Sequence, residues 1–339
     1  MAQLRVKSTY TCSSCCSGGI TLLRSSEVRR TFFQSTSAID DGVAAVTGLA
    51  SGLVIVVHEA LGHSENLVSQ TIAKLDSTCA KVASDGISTV TAVGVNGQVL
   101  EIVCKERNEK DVNGNVVTEW KLTPQATTCC MNENDLYVGF ENGRICQLRS
   151  QCAVPIWESA KRVSIEDMLS RDRHTLITVG ASGLMLYDTR SEGEPALKLS
   201  GTGLACVAYD KSTPNIVQAG TYDGSILEYD MRKIQFQQNN SFSHTGVIAS
   251  LGFGGIISPA LYSAGRDGVV QSLDGMRHSF DSPIRGISVV SNENYDVLGL
   301  AQENGMVRIC VKTTSTSSIS SLHNRPQMRL ELPTRMNLE

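Results

Sequence analysis

The side chains able to do chemistry are scattered along the chain, and none of the groupings they form has workable spacing. His58-Glu59-Ala60-Leu61-Gly62-His63 holds two histidines around a glutamate, the ingredients of a zinc-hydrolase helix, but the histidines are five positions apart. On a helix that spacing leaves them roughly 140° apart and unable to share one metal, so the stretch reads as a strand end and a loop. Cys12-Ser13-Ser14-Cys15-Cys16 offers half of a zinc site without a second pair at usable distance. Cys129 and Cys130 are adjacent, which on a strand sends them to opposite faces. Gly252-Phe253-Gly254-Gly255 lacks the lysine and the helix that cradle a phosphate, and no Gly-x-Ser-x-Gly elbow or dinucleotide fingerprint occurs. Asn239-Asn240-Ser241 is a glycosylation sequon by pattern, with meaning only in a secreted chain. No catalytic, cofactor-binding or metal-binding residue is assigned, and partner-binding positions are left open.

Bulk composition narrows the classes further. The 339 residues, 41% hydrophobic and 19% charged, can bury a sizeable core. A net charge of −4 provides no global basic field of the kind nucleic acid or an anionic membrane requires. The start of the chain, Met1 to Lys7, runs into polar Ser, Thr and Cys residues rather than an apolar signal core, and the apolar run Gly42 to Val57 falls short of the roughly 20 residues of a spanning helix. Secretion and membrane insertion are not expected. The eleven cysteines are odd in number, and Cys104, Cys146, Cys206 and Cys310 sit in apolar strand-like runs. That usage suits buried, unpaired thiols in a reducing compartment, the nucleus or the cytoplasm.

A repeat must position whatever function exists. An apolar strand, a short glycine turn and a second apolar strand recur seven times, with turn glycines at Gly52, Gly97, Gly143, Gly183, Gly224, Gly268 and Gly305. Asn-Gly, Asp-Gly and Ser-Gly supply the positive φ of a tight hairpin. The glycines follow one another at intervals of 37 to 46 residues, close to the span of a four-stranded propeller blade. Stretches between hairpins, such as Val116–Leu122 and Leu204–Tyr209, provide the remaining strands. The expected fold is all-β, a β-propeller of seven blades, with eight as the alternative, occupying residues 1–313. A weaker hairpin, Val6 to Ser14 and then Ile20 to Leu23 around Gly18-Gly19, is expected to help close the ring against the last blade, because joining the chain ends removes a sheet edge. The Ser/Thr run from Thr313 to Ser321 marks the end of the ring and the start of a flexible tail, residues 314–339. Within that tail, Asn324 to Pro333 suits an added strand, a docking peptide or a frayed end.

Leu186-Tyr187-Asp188-Thr189-Arg190, Glu228-Tyr229-Asp230-Met231-Arg232 and Ser272-Leu273-Asp274 resemble the Trp-Asp ends of WD repeats, with Tyr or Leu in place of Trp. A Gly-His dipeptide occurs once, at Gly62-His63, and His244 alone is placed to support a turn aspartate such as Asp267. Within that family, the run Ile165 to Asp274 is similar in layout to the small WD-repeat nucleoporins of the nuclear-pore Y-complex. The similarity lies in Leu176-Ile177-Thr178-Val179, Tyr187 to Arg190, Gly193-Glu194-Pro195, Leu199-Ser200-Gly201, Tyr222-Asp223-Gly224 and Tyr229 to Arg232. It implies a non-enzymatic structural subunit of the pore's outer ring at the nuclear envelope, with other nucleoporins as partners, that serves protein and mRNA transport indirectly.

Two other functions compete. Asp188-Thr189-Arg190 and Asp230-Met231-Arg232, on consecutive units, also resemble the Trp-Asp-x-Arg motif with which substrate receptors of cullin-type ubiquitin ligases dock on their adaptor. In the blander reading the two arginines form ion pairs between blades. A propeller hydrolase would need His174, His244 or His278 to gather with carboxylates at the central channel. The charged stretch Lys105 to Asp111, running into Asn113-Gly114, reads as an outer solvated hairpin.

Overall fold

All seven turn glycines adopt positive φ, between +76° and +97°, and each joins the second and third strands of a four-stranded antiparallel sheet. In the computed structural model seven such sheets form a seven-bladed β-propeller. The structure describes residues 4–313 except 13, 25–42, 60–66, 86–87, 109–110, 133–134, 150–151, 159–162, 192, 200, 202, 211, 234, 240–242, 256–258 and 292–294. The tail, residues 314–339, lies outside the described residues.

Strands are lettered a to d from the central channel outward. The a strands of blades 1 to 7 are Cys16–Arg24, Cys79–Ser84, Ala126–Asn132, Ile165–Asp172, Leu204–Tyr209, Ile248–Gly254 and Ile284–Ser291. Because each blade is a meander, the b–c turns and the d–a crossings share one face of the ring, called upper here. The a–b and c–d turns share the lower face.

The core consists of layers between blades. Seven apolar clusters are present among the described residues, one at each junction of neighbouring blades. Strand b is covered on both faces, so in blades 2 to 6 it is buried along nearly its whole length. That explains why the repeat shows itself as unbroken apolar runs rather than alternation. Tyr187 and Tyr229, read as substitutes for Trp, are both buried between blades, and Tyr187 packs against Trp157 with ring centroids 5.1 Å apart. Leu273, the third substitute, is 47% exposed.

The expected N-terminal hairpin is replaced by two strands in different blades. Leu4–Thr11 pairs antiparallel with Met306–Thr313 and becomes the outer strand of blade 7, while Cys16–Arg24 is the inner strand of blade 1. The glycines at 18 and 19 belong to blade 1 and fit close packing, since a Cβ at Gly18 would meet Cys79 Sγ at 2.6 Å. Closure by the two chain ends is as expected, and the mechanism is a shared sheet that leaves no blade incomplete.

Candidate interaction surfaces

Each a strand carries the same irregularity near its upper end, where its pairing with strand b skips forward. A bulge of this kind re-aims the extra residue. The skipped positions include Gly19, Ala80, Thr127, Glu166, Ala205, Ala249 and Arg285, and all seven line a central cavity of about 360 Å³. Beneath this ring, Lys81 of blade 2 reaches Asp167 of blade 4 at 2.9 Å. Asp167 also accepts from Thr128 Oγ1 at 3.3 Å and from the Val207 backbone N–H at 3.2 Å, so one carboxylate ties together blades 2, 3, 4 and 5. Burial alone would lower the Lys81 pKa, but the charge and hydrogen bond of Asp167 outweigh it and hold the ammonium above its ordinary value. Tyr222 stands over the mouth, 47% exposed. Burial, together with a hydrogen bond to Glu166, pushes its hydroxyl up to about 12.

His244 does support a turn aspartate. Its Nδ1 donates to Asp267 Oδ1 at 3.0 Å, and its Nε2 meets Ser263 Oγ at 2.8 Å. The imidazole is fully buried. Burial would raise the Asp267 carboxyl, but hydrogen bonds from His244 and the Thr245 N–H hold it below the usual range. The group staples the crossing between blades 5 and 6 to the b–c turn of blade 6, away from the channel. His174 lies in the a–b turn of blade 4, and His278 stacks near Phe280 in the outer strand of blade 6. These three histidines are not brought together.

On the lower face, Arg190 and Arg232 each grip an aspartate two residues back in the same turn. Arg190 Nε lies 2.9 Å from Asp188 Oδ1, and Arg232 Nε lies 3.0 Å from Asp230 Oδ1, with a second nitrogen on the other oxygen in each case. The expected blade-to-blade ion pairs are therefore corrected: each clamp closes within its own turn, because the aspartate already caps that turn by accepting the arginine's backbone N–H. The Arg232 hydrogen bond pulls the Asp230 carboxyl down to about 2, and Arg190 holds Asp188 lower still. The two guanidiniums remain mostly exposed on neighbouring blades.

The remaining motifs resolve plainly. His58 and Glu59 end strand c of blade 1, whereas His63 lies outside the described residues. Cys129 and Cys130 pack into different interblade clusters, as alternation on a strand requires. Cys12 and Cys16 are both buried at the junction of blades 7 and 1, and among the described residues no group of three or more potential metal ligands occurs. Gly252 to Gly254 belong to the inner strand of blade 6. Lys105 to Asn108 end strand c of blade 2, Gln98–Asn108, and Asp111 opens its strand d, Asp111–Lys121, with residues 109–110 outside the described residues. On that outer strand Val116 and Val117 are 48% and 61% exposed. Sequence reading missed the lumen residues Lys81, Glu166, Asp167, Tyr222, Arg266 and Arg285. Two signals existed, a charge at matching a-strand positions in otherwise small-residue company and an aromatic one residue before a turn aspartate.

The sheet count, the closing strand and the buried His–Asp–Ser group together define a seven-bladed WD40-type β-propeller. No family model matches the chain, and no curated protein matches it. Among solved structures 1268 chains match, so the fold is shared too widely to select a function. One of them is the crystal structure of the WD40 β-propeller domain of Doa1. It superposes with a TM-score of 0.70 at 12% identity, over 93% of this chain and 98% of that one. At that identity the likeness establishes the fold alone.

Proposed function

We propose that this protein is a non-enzymatic scaffold that binds other proteins, and that its place is the outer ring of the nuclear pore, at the nuclear envelope. The observation that carries the scaffold reading is the closed ring itself: chain ends locked into one blade, apolar layers at every junction, and side chains such as Tyr222, Arg190 and Arg232 projecting from rigid turns. Rigid presentation lowers the entropy lost on binding. The narrower assignment rests on the resemblance of Ile165 to Asp274 to the small Y-complex nucleoporins. Those residues make up blades 4, 5 and most of 6, the part of the ring with the most regular repeat chemistry. On this reading the partners are larger nucleoporins, and the contribution to protein and mRNA transport is architectural.

One observation favours a second reading. The matched clamps at Asp188–Arg190 and Asp230–Arg232 present two exposed guanidiniums from consecutive blades, as docking of a ligase substrate receptor on its adaptor would use. Affinity purification of the tagged full-length chain from its own cells at moderate salt, with mass spectrometry, separates the two. Near-equal recovery of several nucleoporins supports the pore. Recovery of a ligase adaptor with a cullin, lost when Arg190 and Arg232 are both changed to Ala, replaces it with the receptor reading.

A further inference from the structure

We propose that the upper mouth of the channel receives a carboxylate-bearing side chain from an acidic segment of a partner protein. The proposal deepens the scaffold reading, and rests on it, by naming a surface and the partner's chemistry.

Donors and acceptors in the lining do not balance. Asp167 is already engaged by Lys81, Thr128 and the Val207 N–H, while Glu166 faces the Tyr222 hydroxyl. The hydroxyls are also committed: Ser17 donates to the Cys79 carbonyl at 2.7 Å, Thr127 to the Ile165 carbonyl at 2.5 Å and Ser250 to the Ile287 carbonyl at 3.3 Å. Arg285 is held by Glu303 at 2.5 Å. What remains is donor capacity. An ammonium carries three N–H donors, and among the described residues Lys81 uses its ammonium on Asp167 alone. Its side chain is 34% exposed and lines the cavity. Arg266 projects from the b–c turn of blade 6 at the rim, and its guanidinium has no acceptor among the described residues.

A ligand that satisfies this site must bring acceptors, and charge-assisted pairs with Arg and Lys favour a carboxylate. Room for it exists because the bulges of blades 1, 2, 5 and 6 place small residues, Ser17, Gly19, Ala80, Ala205 and Ala249, at the lumen. Tyr222 beside Arg266 gives the mouth two of the three residue types enriched where binding energy concentrates. A cationic side chain would meet Lys81 and Arg266, with Glu166 as the one lining acid open to it. Nucleic acid is disfavoured by a chain of net charge −4 with one unpaired cation at the rim.

Fluorescence anisotropy on the full-length protein in low salt, with a labelled hexaglutamate peptide, tests this against hexaglutamine and hexalysine peptides of the same length. Hexaglutamate should bind at least ten-fold more tightly than either control. Arg266→Glu and, separately, Ala249→Phe, which fills the lumen, should each weaken it ten-fold or more, while Arg190→Ala with Arg232→Ala on the opposite face leaves it unchanged. Circular dichroism confirms that each variant is folded. Equal affinity for hexaglutamine, or hexaglutamate binding indifferent to both Arg266→Glu and Ala249→Phe, overturns the proposal. Partner recovery by affinity purification is a separate readout, so the scaffold reading can fail or stand independently of this one.

Discussion

Asp167 and Asp188 belong to the same blade, and both are paired with a cation, yet they act on different scales. Asp167 sits inside the ring, its side chain 11% exposed, and its three partners come from three other blades. Asp188 sits at the lower rim and grips only Arg190, two residues away. A buried carboxylate that closes long-range contacts is costly to remove, because its partners are left without it in a poorly solvated place. An exposed clamp between near neighbours leaves water to take over. His244–Asp267 belongs with the first kind, Arg232–Asp230 with the second.

Substitutions on both sides of it sharpen that contrast. Asp167→Ala should have the largest effect, a loss of about 3–5 kcal/mol by urea denaturation, since Lys81 keeps its charge in the lumen without a counter-ion; a loss indistinguishable from that of Asp188→Ala would break the comparison. Asp267→Ala should cost about 1–3 kcal/mol, the penalty for leaving buried His244 and the Thr245 N–H unsatisfied. Because the Asp267 carboxyl is depressed in the folded state, its contribution is present above the unfolded value near 3.9. It fades as the pH falls below that, so the wild-type advantage over Asp267→Asn should shrink in acid.

Gly97→Ala tests the turn chemistry separately from any charge. Its φ is +84°, and an added Cβ would come within 2.0 Å of the Leu122 carbonyl oxygen. A loss of more than about 1 kcal/mol is expected, read as a lower thermal midpoint. The smallest effect belongs to the lower face: Arg190→Ala with Arg232→Ala should leave the urea midpoint unchanged within error. The same change should still be visible locally. A carboxyl-carbon NMR titration should place Asp230 near 2 in the wild type, as the Arg232 hydrogen bond dictates, and return it toward 3.9 in Arg232→Ala.

The lower-face aspartates and the turn glycines could be read from the chain because their geometry is local. A positive φ needs glycine whatever surrounds it, and an aspartate two residues before an arginine caps its own turn. The His244–Asp267 pairing was also foreseeable, from the placing of one histidine ahead of a blade's turn. The lumen was not. Lys81, Asp167 and Val207 become neighbours only when four blades are set around one axis, and nothing in the stretch Lys81-Val82-Ala83 says which way a lysine points after a bulge. The arginines illustrate the opposite error, where long-range pairing was expected and the nearest acid won.

By itself, then, the sequence determined that this chain is a ring of four-stranded units, because repeated hairpins follow from φ preferences and apolar runs a few residues long. Only the tertiary structure decided which strand closes the ring and which side chains share its centre. Leu4–Thr11 could have continued into a hairpin with the strand after it. Instead it completes blade 7 by pairing with Met306–Thr313, since an unfilled edge at the end of the ring leaves backbone donors and acceptors unpaired and apolar surface bare.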